Sequence, residues 1–375
     1  VQTRNSDGEP DAADAVAAGP PATGPTGGLD EFDAIDRLRV RFEAAARGRF
    51  VTGDLPPDGE VWIGDDAAVV RDHPDGHTPA GGSAGATGPA GDSGIHLLAT
   101  DLIVDGVHVD RSLGSLRDLG FKAVMVTVSD LAAMGAWPDH LLVSIAAPPG
   151  TDLDEIGAGM AEAAEATGSV VVGGDLSEAP VLVVSTAVSG CVRGGPGPLL
   201  RRGARAGHHL LVTGPLGGSA AGLRVLRSEY GDGSAGAPVA VDPHADPDRE
   251  HLRAAYRRPV ARLLEGETAR LAGASAAIDI SDGLVADVSH LAASSQVGVR
   301  LTSIPVVGGA TADEALHGGE EYELVVATPD PEALVDAFAA AGLRPPVPIG
   351  ICTDRPGELT LDGDPVRPTG WRHRF

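Results

Sequence analysis

Five acidic clusters, Gly64-Asp65-Asp66, Thr100-Asp101, Ser129-Asp130, Gly173-Gly174-Asp175 and Asp279-Ile280-Ser281-Asp282-Gly283, punctuate a chain of 375 residues. Each follows an aliphatic or β-branched run or opens a helix-like one, which puts carboxylates at strand ends and helix starts, where distant segments converge. Gathered carboxylates repel one another. A shared cleft holds them only when protons or divalent cations neutralise them, and hard oxygen donors select Mg²⁺ or Ca²⁺ over zinc. The chemistry that matches is phosphoryl transfer from a nucleotide.

A hydrophobic fraction of 42% is enough for one large core or two ordinary ones, and the length favours two domains. Glycine and proline concentrate in residues 1–28, 73–94 and 231–247, which lack hydrophobic periodicity and read as a disordered tail and two loop insertions. The run Arg193-Gly194-Gly195-Pro196-Gly197-Pro198 interrupts all periodicity, so the expected domains are 29–195 and 196–375. A net charge of -25 repels nucleic acid and anionic membranes, and neither is expected as a partner. A phosphate substrate stays compatible, because bound divalent ions invert the local field. Cys191 and Cys352 are too few for a disulfide framework or a cysteine zinc site, so reducing cytosol fits best. No apolar run reaches membrane-spanning length, and the first residues lack a signal-peptide core. Lys122 is the only lysine and follows Phe121, which excludes a Walker A loop; nor does any Gly-x-Gly-x-x-Gly open a helix after a strand.

Strands and helices alternate in both halves. Helices are expected over 29–47, 115–136 and 153–167, and strands at 61–63, 95–104, 141–147, 170–172 and 181–192. The strand at 170–172 is expected to stop at Gly173-Gly174-Asp175. The second half carries strand patterns at 209–213, 276–280 and 323–327 and helix patterns at 219–227, 260–271, 284–294 and 332–341. This alternation predicts α/β or α+β layers without fixing strand order.

Each candidate site residue has a structural alternative. Asp65-Asp66 reads as a solvated turn, or as two ligands aimed by Gly64 after a buried strand. His108 reads as structural or as a donor to a phosphate. Asp130, inside an apolar helix, needs a partner, either Lys122 or a metal. Gly173-Gly174-Asp175 is an ordinary turn or a place where backbone N–H groups approach a nucleotide. Ser281 or Asp282 caps the following helix, which leaves Asp279 unexplained and a helix start open to phosphate. Glu320, in Gly318-Gly319-Glu320-Glu321-Tyr322-Glu323, can face a cationic group. Trp371 is a hydrophobic clasp, the reading favoured on sequence alone, or a ring that stacks on a flat heterocycle.

Taken in order, Ile63-Gly64-Asp65-Asp66-Ala67-Ala68, Thr100-Asp101, Val128-Ser129-Asp130-Leu131-Ala132-Ala133-Met134-Gly135-Ala136, Gly173-Gly174-Asp175, Ile278-Asp279-Ile280-Ser281-Asp282-Gly283-Leu284 and Gly318-Gly319-Glu320 resemble the thiamine-monophosphate kinase family. The resemblance spans about residue 29 to the terminus; single motifs are also similar to the aminoimidazole ribonucleotide and selenophosphate synthetases that share its PurM-like fold. It implies a two-domain homodimer paired through amino-terminal sheets, with ATP and several Mg²⁺ ions in a cleft between the domains. Carried over by motif position, Asp66, Thr100, Asp101, Asp130, Asp175, Asp279 and Asp282 are the implied Mg²⁺ ligands. Gly174, Asp175, Arg201 and Ser281 are the implied nucleotide contacts, with Arg202 the alternative to Arg201. His108, Glu320 and Trp371 are the implied readers of thiamine monophosphate. No protein group is expected to act as a general base, because metal and positioning carry the reaction. Ala99 stands where family members often have Ser or Thr, which removes one side-chain metal contact from the expected set. The rival readings are a synthetase of the same fold, for which the selenide type lacks the expected early cysteine, and a metal- and nucleotide-binding scaffold without turnover.

Overall fold

The computed structural model describes residues 35, 39–40, 60–62, 65–71, 95–230 and 249–371. The expected tail, both insertions, and most of the helix expected at 29–47 lie outside the described residues; of that helix Ile35, Arg39 and Val40 are helical. Of the strand expected at 61–63, Val61 forms a bridge with Val69, and Ile63 lies outside the described residues.

The first half builds a five-stranded sheet ordered β1-β2-β5-β3-β4, from β1 (Ala68–Arg71), β2 (Ile95–Val104), β3 (Trp137–Ala147), β4 (Val170–Glu178) and β5 (Val183–Cys191). Only β3 and β4 pair in parallel. Helices α1 (Leu116–Ala133) and α2 (Leu153–Thr167) pack against each other, α1 also against β2 and β5 and α2 against β4. Ser115 starts α1 with a capping box, its hydroxyl accepting from the Asp118 amide while the Asp118 carboxylate accepts from the Ser115 amide. Every residue of α1 from Leu119 to Ser129 is buried, so this stretch has no solvent face; α1 also meets the second domain. The two helices cross closely. A Cβ at Gly120 would run into the Ile156 carbonyl, and one at Gly159 into the Arg117 carbonyl.

The strand expected to end at residue 172 continues through Gly173-Gly174-Asp175 to Glu178. Gly174 sits so close to β3 that a Cβ there would strike the Val143 backbone, so this glycine permits strand pairing instead of marking a turn. The register places Thr100 on β2 and Asp175 on β4 on the same outward face as Leu98, Leu102 and Leu142, all three of them exposed apolar side chains.

The second half forms a seven-stranded sheet ordered β12-β11-β8-β10-β6-β9-β7. Its strands are β6 (His209–Val212), β7 (Ala276–Asp279), β8 (Gly298–Leu301), β9 (Leu324–Thr328), β10 (Val347–Thr353), β11 (Leu359–Leu361) and β12 (Asp364–Pro365). Around it lie α3 (Gly218–Tyr230), α4 (Glu250–Arg257), α5 (Leu263–Leu271), α6 (Leu284–Ser295), α7 (Ala312–His317) and α8 (Pro331–Ala340). Alternate residues of the central strands feed two cores: Leu210, Val212, Ile278 and Val325 face one side, Leu211, Ala277 and Val326 the other. Burial on both faces explains why these strands read as unbroken apolar runs. Among the described residues no helix is long and apolar enough to cross a membrane.

The halves are stapled by Arg270 on α5. Its fully buried guanidinium donates to the carbonyls of Gly135, after α1, and of Arg193, Gly194 and Pro196 in the connecting segment. Replacing Gly120 by Ala forces a methyl group into the α1–α2 crossing. The expected cost is about 2 kcal/mol of stability, read as a lowered midpoint in urea denaturation; an unchanged midpoint counts against the close crossing.

Candidate active site

Between the two halves lies a cavity of about 980 Å³. Its walls come from segments far apart in the chain: Asp65, Asp101 and His108 from the first half, Arg201 from the connection, and Tyr256, Ser281, Asp282, Glu320 and Trp371 from the second.

Asp66, Asp130 and Asp279 meet beside it, each offering a carboxylate oxygen within 4.8 Å of the others. Asp66 precedes β1, Asp130 lies in the last turns of α1, and Asp279 ends β7. Arg201 donates from both Nε (3.0 Å) and Nη2 (2.6 Å) to one oxygen of Asp66, while its backbone N–H donates to the Asp65 carboxylate. The other Asp66 oxygen, Oδ2, is buried and has no hydrogen-bond partner. Ser129 Oγ donates to Asp279 at 2.6 Å. Burial is the first cause of high proton affinity throughout this cluster. It raises Asp65 to about 6, helped by the Asp66 charge, and Asp279 to about 7, again helped by Asp66. Asp130 is pushed well above the usual carboxylate range by burial and then by the charges of Asp279, Asp101 and Asp66. An orphaned carboxylate oxygen amid three hard donors fits a magnesium-type cation.

Lys122 does not neutralise Asp130, as the sequence allowed. It reaches Glu320 instead, at 2.9 Å. Nor does Ser281 or Asp282 cap α6. Gly283 occupies the cap position with no side-chain bond, and Asp287, from inside the helix, accepts from the Asp282 and Gly283 amides at 3.0 and 3.1 Å. That leaves Ser281 and Asp282 lining the cavity. Asp287 and His290 bring ligand atoms within 4.8 Å of Asp282, a second cluster that sequence reasoning missed. Its one signal was the spacing: Asp287 stands four residues after Gly283 and His290 three further on, on one helical face.

His108 Nδ1 accepts from the Val104 amide at 3.0 Å, which leaves the proton of the neutral ring on Nε2. Asp101 accepts from the Leu102 amide. Glu320 and Tyr322 hold left-handed backbone angles, φ 62° and 53°, in a loop pinned by amide bonds from residues 320–322 to the Ser281 and Ile280 carbonyls. Trp371 is 52% exposed and its amide donates to the Asp282 carbonyl, so the ring lines the cavity and is not a buried clasp. Arg201 reaches the cleft, whereas Arg202 is exposed and does not line it. Thr100, Gly174 and Asp175 do not line it either: Thr100 and Asp175 lie on the outward face of the first sheet, and Gly174 lies within β4.

Family comparisons agree with this architecture. Residues 64–192 match the AIR synthase related protein, N-terminal domain, and residues 205–362 match the AIR synthase related protein, C-terminal domain. The chain is thus an AIR synthase related protein with both domains in order. It is 32% identical to the thiamine-monophosphate kinase of Mycobacterium tuberculosis (strain H37Rv) over 90% of this chain and 89% of the relative. Among solved structures it is similar to AaThiL complexed with AMPPCP and TMP, with 28% identity, a TM-score of 0.70 and coverage of 92% of this chain and 97% of that one. The thiamine-monophosphate kinase of Stenotrophomonas maltophilia K279a follows at 29% identity and a TM-score of 0.64, covering 90% of this chain and 98% of the other. Within the wider class, the chain belongs to the thiamine-monophosphate kinase family.

Asp65, Asp279 and Glu321, the last raised to about 7 by burial, all titrate higher in the folded chain than in the unfolded one. The folded state therefore holds extra protons, and the stability they represent is full below about pH 4 and is lost as pH rises through about 6 to 7. The metal-free protein should melt at a lower temperature at pH 8 than at pH 5, and Asp279→Asn should flatten that slope. Calorimetry across this range checks it; a slope unchanged by the substitution contradicts the assignment.

Proposed function

We propose that this protein transfers the γ-phosphoryl group of ATP to thiamine monophosphate, giving thiamine diphosphate and ADP. The observation that carries the reading is the convergence of Asp66, Asp130 and Asp279, with an orphaned oxygen on Asp66, beside a cavity lined by Asp101, Ser281 and Asp282. Family membership supplies the substrate class.

Two anions must meet in this reaction, and their repulsion is the main obstacle. Magnesium held by Asp66, Asp130 and Asp279, with Asp101 and Asp282 as further ligands, would supply charge neutralisation. Arg201 adds a fixed cation at the same wall and Ser281 a hydroxyl beside the start of α6, both suited to phosphate oxygens. A phosphate monoester oxygen is already largely ionised near neutral pH, so the protein's task is alignment, not proton removal. His108, Glu320 and Trp371 are assigned to the acceptor: an N–H for its phosphate, a carboxylate for its thiazolium charge and a ring to stack on it.

Thr100, Gly174 and Asp175 keep a place in this proposal only through assembly. They belong to a sheet whose outward face exposes Leu98, Leu102 and Leu142, a surface suited to a second copy of the chain. The separate sheets formed before and after residues 193–198 support a domain boundary in that run. Cys191 and Cys352, which form no disulfide with each other, suit a reducing cytosol.

ADP release measured with and without thiamine monophosphate tests the activity, and release that ignores the acceptor would rule the kinase out. Asp130→Asn should lower turnover on the order of 100-fold with an unaltered circular dichroism spectrum; near-normal turnover would remove Asp130 from the metal set. Trp371→Ala should raise the KM for thiamine monophosphate about tenfold while sparing that for ATP. Equal KM values in wild type and variant would dismiss the stacking role.

A further inference from the structure

Lys122 has a place in the fold that the phosphoryl-transfer chemistry does not explain. It is the only lysine of the chain, it is 2% exposed, and it projects from the first domain's α1 across the seam. Its ammonium meets three features of the second domain: Glu320 Oε1 at 2.9 Å, the Tyr256 carbonyl at 3.1 Å, and the Tyr256 ring, whose centroid lies 4.4 Å away. Glu320 and Tyr256 line the cavity, whereas Lys122 does not. Lys122 thus stands behind two wall residues and touches both.

Glu320 needs such support. Its backbone is left-handed, which disfavours a side chain with a Cβ, and the loop is secured by main-chain bonds that leave the carboxylate undirected. The neighbouring acids are each aimed by a partner of their own: Glu321 accepts from the Gly218 and Ser219 amides, and Glu323 from Arg262, Arg344 and Thr213. For Glu320 the aiming group is Lys122. Asp130 lies eight residues further along the same helix, a rise of about 12 Å. The buried α1 therefore carries a metal-cluster carboxylate and the support for Glu320 at a fixed spacing.

We propose that Lys122 is a positioning residue for acceptor recognition, holding the Glu320 carboxylate and Tyr256 on the cavity wall at a set distance from Asp130. This rests on the kinase reading and goes beyond it by assigning the sole lysine to the acceptor end, not to ATP.

The test is steady-state ADP release by the full chain, varying thiamine monophosphate at saturating MgATP and then the reverse, for wild type, K122M, K122R, E320Q and K122M/E320Q. K122M should raise the KM for thiamine monophosphate about tenfold and leave kcat and the KM for ATP within about twofold. K122R should recover part of the loss, and the double variant should be no worse than E320Q, because the two residues act as one unit. A melting temperature lowered by K122M without a KM change means a purely structural lysine and overturns the proposal. So does an equal rise in both KM values, or additive losses in the double variant. Should K122M fail to fold, K122R and the charge-balanced double variant, compared with E320Q, decide the matter by the same criteria. A wild-type chain that releases no ADP in response to thiamine monophosphate ends the kinase reading and this one with it; an active wild type with unchanged KM in K122M ends this one alone.

Discussion

A helix buried all round over most of its length must find partners for the polar groups it carries inside, and that requirement on α1 organises the molecule. Thr127 returns its hydroxyl to the Ala123 carbonyl and meets Thr186 of β5. Ser129 serves Asp279, Lys122 serves Glu320, and Asp130 joins two other acids. The partners of the last three come wholly or partly from the second domain, so burying this helix and closing the seam are one event. Leaving any of these groups unpaired in the interior would cost several kcal/mol. Polar groups that a stable core would normally exclude are thereby concentrated where the two domains face each other.

The electrostatic character of the cleft follows from the same arrangement. Asp66, with its side chain fully buried, is matched by Arg201 on one oxygen only. The remaining negative charge is held by protons, as the raised affinities of Asp130 and Asp279 express, or by a divalent ion.

Much of the fold was legible where local signals agreed. The bounds of β2 and α2 coincide with their sequence patterns; α2 is marked by Asp152 accepting from the amides of its first turn and by Gly168 in the left-handed region at its end. Legibility failed where a local signal served a tertiary purpose. Gly173-Gly174 looks like a turn but lies inside β4, where Gly174 relieves contact with β3 rather than reversing the chain. Helix α4 was missed because it is short and polar on average: of its buried positions Leu252, Arg253 and Tyr256, one is an arginine whose guanidinium is matched by Glu229 and Glu250. The acidic motifs announced themselves, yet which of them meet was a matter of topology: Asp66, Asp130 and Asp279 converge, while Asp175 is carried to the opposite face of its sheet. Asp287 and His290 stayed hidden because a helix pattern gives no hint that its inner acid will turn back on its own first amides.

Arg270 has a mechanical consequence. A single planar group that grips four main-chain carbonyls, three of them in the connecting segment, leaves that segment no slack to act as a pivot. The same side chain holds the end of α1, so one buried guanidinium sets the first residues of the connection against both domains at once.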